Sequence, residues 1–353
     1  MKKKKYILWA VFGGLALVLL LMIGTHAGVS HYFSKLNYVA RDSASPVLPA
    51  AETPALTGES ELQERQLADE ALQSQQLDTL VGQTQGVMNI LLIGVDNDYL
   101  PGLGNLGNAD GLLMISINKN TRQVVLTSIM RDTYVAVPGA FNTKVTLSYH
   151  YGGTDTLLDT IEANFGVPID NYVLVNYINV VDIVDTLGGV DLELTDDEIF
   201  YMRPKIINVC SLLGIDPMPY LLHGASAGLA HLNGVQTAAY LRVRYAGNND
   251  FERTERARRV FSLLVEKLRS LSLSELNDTA NTILPCVTTD LTQDRILSLL
   301  MSAPQLLKYD LVSNRIPIDD SFYFANFYGS VLVPDYEVNR DFLHRSIYEG
   351  ERD

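Results

Sequence analysis

The stretch Gly111–Arg131, GLLMISINKNTRQVVLTSIMR, leaves this chain few folds to choose from. Two runs dense in Ile, Val and Leu, 112–118 and 123–130, flank the polar tetrad Lys119-Asn120-Thr121-Arg122. Apolar runs broken by four polar residues spell a β-hairpin with a four-residue loop. With Asn118 paired to Gln123, counting back along both strands sets Asp110 opposite Arg131 at the open end. Just upstream, Met88–Val95 (MNILLIGV) has the near-continuous apolar character of a strand covered on both faces, and it ends in Asp96. Lying parallel to the second hairpin strand, it delivers Asp96 to the same edge. Two carboxylates and a guanidinium then meet where three buried strands stop. Asp and Arg also mark strand ends for local turn reasons, so at this point a site and a set of turn residues are both open.

The N-terminus decides where such a domain works. Lys2 to Lys5 are four consecutive cations, and Tyr6 to Gly24 follow with 19 uncharged residues. At about 1.5 Å per residue that run spans the ~30 Å hydrocarbon core of a bilayer. The lysines keep residues 1–5 cytoplasmic, so the rest of the chain is expected outside the cell. A cleaved signal peptide has a shorter apolar region and a small-x-small cleavage site; Thr25-His26-Ala27-Gly28 matches that weakly, and an uncleaved anchor over 6–24 is the reading. Residues 25–87 read as an extracellular linker and stalk. Three prolines among Ser, Thr and Ala lie in 41–60, and 61–80 has leucines too sparse for a core helix, which suggests a solvated helical stalk. The folded domain is expected over 88–350.

Within it, Asp132–Lys144 reads as a loop around Pro138-Gly139, and Thr154–Asn164 as a helix ended by Gly166. Asn171–Asn176 reads as a strand, Val180–Leu187 as a helix stopped by Gly188-Gly189, and Val190–Leu194 as an alternating strand. Residues 196–230 look irregular, with an insertion over 201–220. After a turn at Leu232-Asn233-Gly234 and a short helix over 235–240, Leu241–Tyr245 alternates with period two, which places Arg242 and Arg244 on one face of a strand. A helix over 251–270 has Asp250 in capping position and a core stripe of Ala257, Val260, Phe261, Leu264, Val265 and Leu268. Arg253, four residues before Ala257 and seven before Val260, points toward that stripe, whereas Arg256, Arg258 and Arg259 read as a solvated face or as members of ion pairs. Residues 272–353 add two or three helices and short strands around 322–333. Strands alternating with helices, plus an antiparallel hairpin, give the fold class: α/β, a mixed parallel and antiparallel central sheet sandwiched by helices, behind one N-terminal transmembrane helix.

The polar residues so collected are Asp96, Asp110, Arg131, Asp132, Arg242, Arg244, Asp250 and Arg253. The chain has no G-x-S-x-G, no H-E-x-x-H, no Walker loop and no Cys/His zinc spacing. Carboxylates without His or Cys suit Mg²⁺, and several arginines suit phosphate oxygens. A diphosphate site and a structural ion-pair network both fit that set. The net charge of −14 argues against nucleic acid as a partner. The two cysteines, Cys210 and Cys286, are either one disulfide or two free thiols.

The order of motifs resembles the LytR-CpsA-Psr family of cell-wall ligases. The matching segments are Asn89–Asp96, Ala109-Asp110, Thr127–Val135 with Pro138-Gly139, Lys144–Gly153, Asp185–Val190, Leu232–Gly234, Tyr240–Arg244 and Asp250–Arg256, strongest over 88–270. The resemblance implies a membrane-anchored phosphotransferase that moves a glycopolymer (teichoic acid, capsule or another wall glycan) from a polyprenyl-diphosphate carrier to peptidoglycan. By position, Asp96 and Asp110 match the family's Mg²⁺ ligands, and Arg131, Arg242, Arg244 and Arg253 its diphosphate-binding arginines. Asp132 and Asp250 match acidic positions that either orient an arginine or take the proton of the acceptor hydroxyl. An apolar tunnel for the isoprenoid is implied, with the elements around 154–164, 171–176 and 256–268 as its walls. Two positions depart from the family: Asn108 where Arg is usual, and Ala257 where Gln is common; Arg203 or Lys205 could compensate. These departures motivate the alternative of a non-catalytic polyprenyl-diphosphate-binding scaffold. A transcriptional role fits poorly with an acidic domain outside the cell.

Overall fold

The structure is a computed structural model; it describes residues 26–41, 58–74, 84–96, 107–243, 256–257, 259–260, 263–264, 266–267, 271–306, 308–327 and 329–351. The anchor expected over 6–24 and most of the Pro-rich linker lie outside these. Among the described residues no helix is long and apolar enough to cross a membrane. In chain order, α1 (His26–Phe33) and β1 (Asn37–Tyr38) precede α2 (Glu59–Ser74), β2 (Val87–Asp96), β3 (Asn108–Asn118) and β4 (Gln123–Ile129). Next come β5 (Tyr134–Ala136), β6 (Asn142–Lys144), α3 (Val145–Phe165), β7 (Asn171–Asn176), α4 (Tyr177–Thr186), β8 (Val190–Leu194) and α5 (Asp196–Leu213). Then follow β9 (Gly228–Leu232), α6 (Gly234–Leu241), α7 (Leu273–Ile283), β10 (Val287–Thr289), α8 (Gln293–Leu306), β11 (Asp310–Ile316), β12 (Phe322–Asn326), β13 (Ser330–Pro334) and α9 (Tyr336–His344). The fold is mixed α/β. Two compact units divide it: Met1–Val39 with Leu174–Tyr309, and Ala40–Val173 with Asp310–Asp353.

The second unit is built on strands in the order β7-β2-β3-β4-β11, with β7 contributing its first three residues here. The β3–β4 hairpin has the expected register: Asn118 pairs with Gln123 and Leu113 with Ser128. Its turn is held by Asn118 Oδ1, which accepts from the amides of Asn120 (2.8 Å) and Thr121 (3.1 Å). Every residue of β4 is buried, because β3 and β11 flank it and no edge is left to water. β11 pairs parallel to β4 from Asp310↔Gln123 to Ile316↔Ile129. Sequence reading missed β11, since DLVSNRI carries polar residues that break any apolar run.

β2 runs antiparallel to β3 and therefore parallel to β4, so β2 and β4 end at the same edge. α3 packs on β3 and is longer than the helix expected over 154–164. Gly152 and Gly153 leave helical geometry, so its second half starts where that helix was expected, and Gly166 closes it in the left-handed region at φ 72°. The loop beyond is tied by Glu162, whose Oε1 accepts from Ile169 N at 2.6 Å, while Arg41 bridges Glu162 and Asp159 at 2.6 Å each.

Asp132–Lys144 is a small hairpin, β5 against β6, rather than a loop. The helix expected to be a solvated stalk is packed: α2 buries Ala68 (0% exposed) and Leu72 (2%) and lies against β12 and β5. Ala68 and Leu72 are one turn apart, so a single small and a single large apolar residue on one face dock this helix.

In the first unit β7, β8 and α4 fall where the pattern put them. The span expected to be irregular is α5, whose buried residues Glu198, Met202, Ile206, Val209 and Cys210 recur at helical spacing. Pro204 and its cationic neighbours Arg203 and Lys205 interrupt the pattern without stopping the helix. β9 then pairs antiparallel with β8. The strand expected over 241–245 is absent from its described part, residues 241–243: α6 runs through Leu241 and Arg242 caps it at φ −97°, ψ 1°. Leu241, Arg242 and Val243 are all buried, so alternation there reported no face. Cys210 and Cys286 are free thiols.

α6 crosses α4 closely enough that a Cβ on Gly234 would stand 2.2 Å from the Val181 carbonyl oxygen. Gly234→Ala is expected to destabilise the chain by about 3 kcal/mol through overpacking against backbone, measured as a drop in the urea midpoint; an unchanged midpoint refutes the close crossing.

Candidate active site

β4 stops at Ile129, and separate elements pin the backbone of the next four residues. Met130 N donates to Ile316 O (2.9 Å), and Thr146 N donates to Arg131 O (3.1 Å). Leu332 N donates to Asp132 O (2.9 Å) and Val145 N to Thr133 O (2.8 Å). The Thr133 hydroxyl turns back to Met130 O at 2.6 Å. Strands β11 and β13 and the start of α3 thus fix the main chain of Arg131-Asp132, so two side chains leave a rigid platform.

Those side chains open a line of alternating charge. Arg131 Nη1 donates to Asp110 Oδ1 at 2.8 Å, and Arg131 Nε to Asp132 Oδ2 at 3.2 Å; Lys144 Nζ lies 2.9 Å from Asp132 Oδ1. The four side chains are only 3% (Asp110), 14% (Arg131), 11% (Asp132) and 14% (Lys144) exposed. Two carboxylates and two cations balance one another where water is scarce, which lowers the cost of burying each. The expected meeting of Asp110 and Arg131 is therefore present. Lys144 is the member that sequence reading passed over as a site residue. Its signal was the Pro138-Gly139 turn, because a tight turn in the middle of 132–144 returns the two ends, Asp132 and Lys144, to each other.

A β-bulge places Asp110. β2 and β3 pair regularly down to Gly94↔Gly111, then resume as Val95↔Ala109 and Asp96↔Asn108, leaving Asp110 without an opposite number. An extra residue bends a strand and re-aims its side chain. Asp96 ends β2 at this edge, in register with Asn108; its side chain lies outside the described residues. Among the described residues no three His, Cys, Asp or Glu side chains gather as a metal cluster. The donors at the edge are nevertheless oxygens: the Asp110 carboxylate, and Asn108 Oδ1, buried with no hydrogen-bond partner among the described residues. An oxygen set with an orphaned buried acceptor fits Mg²⁺ in kind.

Of the other arginines expected at the site, Arg242 falls among the described residues, in the first unit. Arg242 is 9% exposed and donates to Asn208 Oδ1 at 2.6 Å. Arg244, Asp250 and Arg253 lie outside the described residues. Arg203 is exposed on α5 and Lys205 half-buried. Arg256, expected on a solvated face or in an ion pair, is in an ion pair but only 1% exposed: its Nε donates to Glu198 Oε1 at 3.0 Å and its Nη1 to Val243 O at 2.9 Å. Arg256, Val260 and Leu264 are four residues apart and form the buried stripe, whereas Ala257, expected in the core, is exposed. Glu198 also closes the capping box of α5 with Thr195. Tyr240 lies beside this pair and accepts from Arg259 at 3.0 Å; burial, then the Glu198 charge, pushes its phenol up to about 12.

A model of the LytR_cpsA_psr family matches residues 55–343. The chain belongs to the LytR-CpsA-Psr family. A relative from Bacillus cereus, the polyisoprenyl-teichoic acid–peptidoglycan teichoic acid transferase TagU, is 31% identical over 216 residues, 60% of this chain and 63% of that one. The match thus spans less than two thirds of the relative's length. Among solved structures, protein gbs0355 from Streptococcus agalactiae is similar with a TM-score of 0.59 at 20% identity, over 76% of this chain and 89% of that one. The LytR-CPS2A-psr family protein YwtF (TagT) with bound octaprenyl pyrophosphate lipid is similar with a TM-score of 0.51 at 21% identity, over 74% and 91%. At these identities the structures report the fold that this chain shares with the family.

The buried pair in the first unit makes a direct test. Glu198→Ala takes a carboxylate partner from the buried Arg256 guanidinium, and the expected loss is about 3 kcal/mol. Denaturant unfolding measures it; a loss below about 1 kcal/mol, the range of exposed pairs, would show the pair to be solvated.

Proposed function

We propose that this chain is a membrane-anchored, Mg²⁺-dependent phosphotransferase of the cell envelope. It transfers a glycopolymer from a polyprenyl-diphosphate carrier to peptidoglycan, with the anchor at 6–24 and the domain outside the cell. The observation that carries this reading is the Asp110–Arg131–Asp132–Lys144 line on its pinned backbone. Family membership and the TagU relative's activity on polyisoprenyl-linked teichoic acid support it.

The acceptor hydroxyl attacks the phosphorus that carries the polymer. A new P–O bond forms, the P–O bond to the polyprenyl phosphate breaks, and polyprenyl phosphate leaves. Such transfers need positioning and charge neutralisation more than covalent help from the protein. Arg131 binds diphosphate oxygens, its guanidinium held in orientation by Asp110 and Asp132. Arg242, Arg244 and Arg253 supply further diphosphate contacts. Asp96 and Asp110 would hold Mg²⁺, which when bound supplies charge neutralisation at the diphosphate. Asp132 has one oxygen on Arg131 and the other on Lys144, which supports an orienting role. The hydroxyl proton is then assigned to Asp250, at the start of the motif that carries Arg253.

Full-length protein in vesicles, supplied with lipid-linked glycan, Mg²⁺ and peptidoglycan oligomers, is expected to attach polymer, and chelation should stop the transfer. Asp110→Ala should lower the rate by roughly 10²-fold or more, the scale of losing one electrostatic element of a transfer site. Undiminished activity in that variant removes Asp110 from the site, and lipid binding with no transfer by the wild type makes the protein a scaffold.

A further inference from the structure

The side chains that hold the β5–β6 hairpin include one from a segment with no evident part in the chemistry. Asp69 is on α2, ahead of the strands that carry the site. Its Oδ1 accepts from the Tyr134 hydroxyl at 2.7 Å and from Asn142 Nδ2 at 2.8 Å. Tyr134 is on β5 and Asn142 on β6, so one carboxylate oxygen clasps both strands. In the hairpin register Tyr134 faces Lys144 and Ala136 faces Asn142. Tyr134 also comes two residues after Asp132. The clasp therefore sits on the residues immediately behind the Asp132–Lys144 pair.

Tyr134 is wholly buried, with its ring edge-to-face on Phe327 at 5.1 Å between centroids. A buried phenol needs a partner for its hydroxyl. Burial first, and then the Asp69 carboxylate, raise its proton affinity, so it remains the donor. Arg65, one turn before Asp69, places Nε 3.6 Å from the other carboxylate oxygen. Ala68 and Leu72 bury the same helix, which fixes Asp69 in turn.

We propose that Asp69 is a positioning residue of the transfer site. It acts through Tyr134 and Asn142 to keep β5 and β6 closed, and so holds Lys144 on Asp132 and Asp132 on Arg131. This rests on the function proposed above. It also gives α2, the helix between the linker and the sheet, a part in setting site geometry.

The test uses the full chain with Asp69→Ala and Asp69→Asn; the asparagine keeps a carbonyl oxygen able to accept both bonds. Asp69→Ala is expected to slow transfer by roughly 10²-fold, the scale of a displacement of about 1 Å. It should also speed amide exchange at least tenfold within 134–144 while amides of β4 keep their rates. Asp69→Asn should recover most of both. Joined to Lys144→Ala, Asp69→Ala should add little further loss, because both act on Asp132. Asn142→Ala, which removes one of the two bonds, should accelerate exchange in the same window to a smaller degree and covers the case in which Asp69→Ala does not fold. Unchanged exchange in 134–144, or losses that add in the double variant, overturns the proposal. If the wild type transfers nothing, the functional reading falls, and exchange alone then decides whether Asp69 holds the hairpin.

Discussion

Asp132 is a carboxylate almost withdrawn from water, and a group in that position keeps its charge only when donors are brought to it. Arg131 reaches one oxygen from the adjacent position in the chain, and Lys144 reaches the other across a hairpin. Both approaches depend on main chain held from outside. Asn164, near the end of α3, pairs its side-chain amide with both backbone groups of Ala136, at 3.0 and 2.7 Å, and thereby fixes the far end of β5. Arg340 of α9 donates to the carbonyls of Asn164 and Ala163, satisfying the last turn of α3. The charged line at the sheet edge is thus the last in a succession of satisfied polar groups that starts in the C-terminal helix.

The two units handle arginine differently. In the second, Arg131 is shared between two carboxylates and keeps 14% of its side chain exposed. In the first, Arg256 is sealed, with one contact to a carboxylate and one to the Val243 carbonyl. A sealed pair of this kind adds little to stability over an apolar pair, but it is strict about geometry. It joins the start of α5, through Glu198, to the chain just beyond Arg242. The order of Arg242 can therefore depend on a residue that never meets solvent.

Much of this fold was legible in the sequence where a periodic pattern and its punctuation agreed. The β3–β4 register followed from one polar tetrad, and β7 and β8 from short runs bounded by Asn and Gly. The meeting of Asp110 with Arg131 followed from that register. Legibility ended where burial came from distant chain. β11 is a strand because β4 needs a partner, not because DLVSNRI alternates. Arg256 resembled a surface cation because its partner, Glu198, lies 58 positions earlier. The alternation from Leu241 onward misled because Leu241, Arg242 and Val243 are all buried, so the polarity of neighbours carried no information about facing. Lys144 was hidden by treating a closed hairpin as an open loop.

The bulge at Asp110 separates two requirements that a plain strand would bind together. Side chains on a strand alternate strictly, so a one-residue slip normally turns every apolar residue of 112–118 toward the wrong face. With Asp110 as the supernumerary residue, Asn108 and Ala109 follow a phase of their own while the core portion keeps its pairing with β2 and β4. The side-chain phase at the edge is thereby set by the bulge and not by the core register. Asn108, at the position where the family resemblance leads one to expect Arg, stands in that edge phase opposite the end of β2.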